Sequence, residues 1–161
     1  NTRDRQMALN LKWITDVKFP NEKVIVWAHN LHISKNSGNY PEKFLKEQNS
    51  MASIFTADST TMNQTYIIGF TSYQGTTGRI FQKSYSAEKP KPNSFENWIN
   101  QDYSYAFVDF KSYNRSTSDK SESFYLKGSL IGNKLHKNFK AEWTKVFDGV
   151  FYLKEMYPCG K

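Results

Sequence analysis

The residues best suited to chemistry are His29, Asn30 and His32, in the run Val24-Ile25-Val26-Trp27-Ala28-His29-Asn30-Leu31-His32. The chain has three histidines, and two of them stand in this cluster. Histidine transfers protons near neutral pH, and its two ring nitrogens can donate or accept hydrogen bonds independently. A metal is the other use of two histidines at this spacing. No carboxylate follows at a ligand-like distance, and one cysteine with three histidines cannot make a structural zinc site of the usual spacing. No metal is therefore expected.

Two elements must position this cluster. Val24–Ala28 is a continuous apolar run rich in β-branched residues, which reads as a central strand buried on both faces. In open α/β sheets, ligands bind just beyond the carboxyl ends of such strands, which is where His29 lies. Residues Thr2 to Val17 read as a helix, with Thr2 as N-cap, Asp4 in the first turn, and an apolar face of Met7, Ala8, Leu11 and Ile14. Arg3, Met7, Asn10 and Ile14 form one stripe of that helix. The residues alone leave two readings of its polar members. In one, Arg3 reaches water from the helix end and Asn10 bonds locally; in the other, both face a pocket.

Further strands are expected at Tyr66–Phe70, from Thr71 through a Gly75–Gly78 turn to Phe81, at Tyr105–Phe110 and at Phe147–Leu153. Phe124–Ile131 is ambiguous between strand and helix. Short helices are expected around Glu42–Gln48, from Met51 to Phe55 and after Ser94, and Ser112–Ser123 reads as a polar surface loop. Helices mixed with buried strands argue an α/β fold, with a mixed, mostly parallel sheet flanked by helices.

The chain of 161 residues suits one domain or part of a larger one. Its 12 Phe, 10 Tyr and 4 Trp fit sheet packing. The net charge is +7, but the lysines are scattered and form no basic stripe, so no nucleic-acid partner is expected. No run approaches the ~18 apolar residues of a membrane span. The single cysteine, Cys159, excludes a disulfide framework within the chain. No signal peptide is visible, and the compartment expectation leans to the cytoplasm. The chain starts at Asn1 and opens almost directly into a helix, which reads as a fragment or a processed product. There is no phosphate-binding glycine loop, no G-x-G-x-x-G and no G-x-S-x-G elbow.

Arg3-Asp4-Arg5-Gln6-Met7-Ala8-Leu9-Asn10, followed by Trp27-Ala28-His29-Asn30-Leu31-His32, resembles the erythromycin esterase-like family, some of whose members are labelled succinoglycan biosynthesis proteins. Tyr66-Ile67-Ile68-Gly69-Phe70 with Gly75, and Phe147-Asp148-Gly149-Val150-Phe151 before Tyr157-Pro158, resemble later parts of the family pattern. One departure is Met51-Ala52, where the family has Met-Gly. The resemblance implies a hydrolase acting on an ester or a macrolide-type lactone by histidine-assisted attack of water, with no metal or organic cofactor. It implies His29 as the active-site histidine, orienting the substrate or stabilising charge. Arg3 and Asn10 would face the pocket, with Asn30 and His32 supporting. An upstream G-E-x-x-H segment of the family has no match here, so the chain resembles the carboxyl-terminal part of such an enzyme. A missing amino-terminal segment would be its partner, and the isolated chain is expected to turn over little. The alternative is a non-catalytic α/β module binding a polysaccharide or a lipid-linked intermediate of the cell envelope.

Overall fold

The computed structural model describes residues 2–36, 49–78, 83–116, 122–128 and 136–158. The expected helix at Glu42–Gln48 lies outside them. Helix α1 (Thr2–Trp13) continues as a wide π-turn over Ile14–Lys18. Short helices follow: α2 (Asn30–Ile33), α3 (Met51–Phe55) and α4 (Ser59–Gln64). Then come β1 (Ile68–Thr77), β2 (Tyr85–Ser86), a 3₁₀ turn at Phe95–Asn97, β3 (Tyr105–Asp109), α5 (Phe110–Ser116), β4 (Phe124–Gly128), β5 (Lys137–Ala141), α6 (Trp143–Val146) and β6 (Gly149–Met156).

The architecture is α/β around a mixed four-stranded sheet of order β2-β1-β6-β3, with β4 and β5 forming a separate hairpin. β1 and β6 run parallel, with Phe70 level with Phe151. The remaining pairs are antiparallel. The mixed sheet agrees with the sequence, but the balance of directions does not: one pair is parallel where a mostly parallel sheet was expected. The cause is that β3 enters antiparallel to β6 and shields its second edge.

One face of the sheet is closed. Phe95, Phe110, Phe124, Leu126, Trp143, Val146, Phe147, Val150 and Tyr152 form a dense core beneath it. Gly69 is required there, because a Cβ would sit 2.7 Å from the Phe147 ring. Gly75, at φ +115°, takes a backbone conformation that L side chains rarely adopt. Buried polar groups tie the layers together. The Asp148 carboxylate accepts from the Ile67 N–H at 2.8 Å and pairs with Lys35 and Lys111. Glu96 accepts from the Thr71 hydroxyl and from the Lys127 N–H.

The other face carries Ile68, Phe70, Phe151, Tyr105 and Phe107, aligned by strand register and partly open to solvent. The expected central strand Val24–Ala28 lies on this side and is corrected by the structure. Residues 23–29 join no strand ladder; Ile25 is 92 % exposed and Trp27 83 % exposed. Trp27 rests on Phe70, with ring centroids 5.3 Å apart. An apolar run is buried only where layers meet it, and no described residue covers its outer side. The polar stretch after Ser112, expected as a loop, begins as helix α5. Its start is fixed by the Asp109 carboxylate, which accepts from the N–H groups of Lys111 and Ser112.

Candidate active site

The site is built from α2 and the two elements that grip it. Asn30, at the start of α2, is buried. Its amide donates to the Phe70 carbonyl at 2.7 Å, and its oxygen accepts from the Phe70 N–H at 3.0 Å. The side chain thus occupies the edge of β1 as a neighbouring strand would. It also lies against Gly128 at the end of β4.

His29 caps the helix that Asn30 opens. Its Nδ1 accepts from the Leu31 N–H at 3.3 Å, and the residue is exposed. His32 lies one turn on, with the two ring centroids 6.4 Å apart. His32 Nδ1 lies 2.6 Å from Oδ1 of Asp4, whose residue is 1 % exposed. The His32 side chain keeps 16 % of its surface. Helix α1, packed against α3 and otherwise poorly apolar, therefore turns a carboxylate inward onto this histidine.

The other two predicted members of the helix stripe point elsewhere. Arg3 is exposed, and so is Asn10, which accepts from the Gln6 amide at 2.9 Å.

Two residues of the site escaped sequence reasoning. Asp4 figured only as a favourable charge at a helix start, and nothing local signals that it meets a residue 28 positions away. His136, the third histidine, is buried and shares a 2.9 Å hydrogen bond with the Ser72 hydroxyl. Burial, then the nearby Lys127 ammonium, then His29 push its pKa down to about 4, so it is neutral at pH 7. Lys127 itself is buried, donating to the carbonyls of Tyr73 and Glu88; desolvation lowers its pKa to about 8. Among the described residues no group of three or more His, Cys, Asp and Glu could hold a metal ion. No described helix is long and apolar enough to cross a membrane.

The arrangement offers two imidazoles on one short helix, one capping a backbone N–H and one against a buried carboxylate, with a neutral third histidine near the first. The family model for erythromycin esterase matches residues 1–156. The chain belongs to the erythromycin esterase family. A relative from Bacillus subtilis (strain 168), named "Putative hydrolase YbfO", is 32 % identical over 73 residues, which is 45 % of this chain and 16 % of the relative. Two solved structures share the fold: a Bacillus cereus protein, and a protein named succinoglycan biosynthesis protein. Each gives a TM-score of 0.66 at 19 % identity, over 94 % of this chain and 37 % of its own. The chain thus spans little more than a third of the length of the solved structures it matches.

Proposed function

We propose that this chain is the histidine-bearing part of a hydrolase that cleaves an ester or a macrolide-type lactone by attack of water on the carbonyl. The observation that carries the reading is the meeting of His29, His32 and the buried Asp4 at the edge of β1, in a member of the erythromycin esterase family. His29 stabilises or orients the substrate carbonyl, Asn30 fixes the helix that presents it, and His32 supports. Arg3 and Asn10, exposed on α1, face the pocket once an amino-terminal segment of the same protein closes it. That segment is the chain's partner in this reading, and no cofactor is needed.

The test uses the full-length protein with a macrolide lactone and with p-nitrophenyl esters. His29→Ala is expected to lower kcat and kcat/KM together, by on the order of 10²–10³ for one lost preorganised donor. Normal kinetics with a reduced melting temperature would make His29 a structural helix cap and remove it from the chemistry. Absence of hydrolysis by the unaltered protein, with saturable binding of a polysaccharide, would favour a non-catalytic binding module.

A further inference from the structure

Four successive residues of β1 each hold a polar side chain from a different element. Phe70 holds Asn30 of α2 through its N–H and carbonyl, and the Thr71 hydroxyl donates to Glu96 of the 3₁₀ turn. The Ser72 hydroxyl meets Nε2 of His136, just before β5, at 2.9 Å. The Tyr73 carbonyl accepts from Nζ of Lys127, on β4, at 2.6 Å. That ammonium also donates to the Glu88 carbonyl at 2.7 Å, so both of these acceptors are neutral.

The carboxyl groups that face Lys127 are engaged elsewhere. Glu96 accepts from the Thr71 hydroxyl and from the Lys127 backbone N–H, and burial pushes its pKa up, towards the neutral form. Glu88 is exposed, and its carboxylate accepts from the N–H and the side-chain amide of Asn138. From the β5 side Lys127 meets His136, which is neutral at pH 7, and from β1 it meets a carbonyl. Lys127 is 0 % exposed, so it places a buried ammonium with no ion pair among the described residues. An uncompensated buried charge is costly, and one retained beside a site calls for a function.

We propose that Lys127 is a positioning residue of the site, its buried ammonium supplying the positive potential under which negative charge develops on the substrate carbonyl oxygen. This rests on the hydrolase reading above. As the oxygen of water bonds to the carbonyl carbon, the π pair moves onto the carbonyl oxygen. A cation already fixed in place favours that charge without any rearrangement. The ammonium is anchored three residues along β1 from Phe70, where α2 is held, which is about 10 Å at about 3.3 Å per residue. A unit charge at about 10 Å, with an effective dielectric constant of about 20, changes the rate on the order of tenfold. Lys127 loses its proton near pH 8, so the potential is present below that pH and lost above it.

The experiment reads kcat against pH on p-nitrophenyl esters with the full-length protein. In the unaltered protein kcat should fall on the order of tenfold as pH rises through about 8, with little change in KM. No matching loss of melting temperature is expected, because a lysine whose folded pKa is lowered adds stability as it sheds its proton. Lys127→Arg, whose charge persists throughout this range, should keep activity at pH 7 and lose the fall. Lys127→Met should show the lowered kcat at every pH, and histidine ¹H–¹⁵N spectra should show His136 titrating at higher pH than in the unaltered protein. A flat profile in the unaltered protein overturns the proposal whether or not the variants fold. A fall that persists unchanged in folded Lys127→Arg, or an unaltered kcat in folded Lys127→Met, overturns it too and leaves Lys127 as a tie between β4 and β1 while hydrolysis stands. Absence of hydrolysis at every pH would instead sink the hydrolase reading and the role built on it.

Discussion

Asn30→Ala tests whether the site stands on the carboxamide that joins α2 to β1. The side chain makes two hydrogen bonds to one residue, at 2.7 Å and 3.0 Å, and is itself buried. Each neutral bond contributes about 1 kcal/mol net, and each buried backbone group left unpaired costs about 1–3 kcal/mol. Phe70 is half-buried, so water recovers part of that loss. The expected destabilisation is about 2–3 kcal/mol, or about 5–10 °C in melting temperature for a chain of this size. Urea unfolding, followed by tryptophan fluorescence, measures it. Asn30→Asp adds a sign. A neutral carboxyl can donate to the Phe70 carbonyl, whereas a carboxylate faces it with like partial charge. The folded-state pKa of the new group is thus raised, and the variant's stability should fall as pH rises through the carboxyl range. A loss under about 0.5 kcal/mol in Asn30→Ala, or an Asn30→Asp protein whose stability is flat with pH, would refute the reasoning.

His136 has its folded pKa held near 4 against an ordinary 6.5, so its neutral form is the one the fold favours. Below pH 6.5 the unfolded chain gains a proton that the folded chain refuses; the fold should lose up to about 3 kcal/mol on going from pH 6.5 to about 4. His136→Gln, which can keep the Ser72 bond, should flatten the urea midpoint in that window. Gly69→Ala should cost about 1–3 kcal/mol in urea unfolding, because its Cβ enters the Phe147 ring at 2.7 Å.

The elements read well where the sequence pattern and the tertiary environment agree. The Met7/Ala8/Leu11 spacing gave the first helix, and Phe147–Leu153 and Tyr105–Phe110 are the strands β6 and β3. The pattern failed where burial is decided elsewhere. Val24–Ala28 has the composition of a buried strand, yet composition does not supply the layer that would bury it. The 112–123 stretch is too polar to signal a helix, but Asp109, at the end of a strand, caps one. At the candidate site, the H-N-L-H cluster was legible as a polar, titratable group on one short segment. The partner of each histidine was not, because Asp4 and His136 reach it from other elements and their own neighbours in sequence give no hint.

That Asp4 is buried on α1 is hard to explain as stabilisation. The helix buries only Asp4 and Ala8, and its other polar residues face water. Burying a carboxylate is costly, and even a well-made buried ion pair is often no better than an apolar replacement. A helix that needed only to dock could present leucine at that position. The carboxylate instead lies against His32, whose Nδ1 is 2.6 Å from Asp4 Oδ1. Asn30 performs the matching task from the sheet side, fixing α2 so that Asp4 and His32 stay in register. The fold therefore commits a buried carboxylate and a backbone-mimicking amide to placing one four-residue helix, which His29 caps and which carries His32.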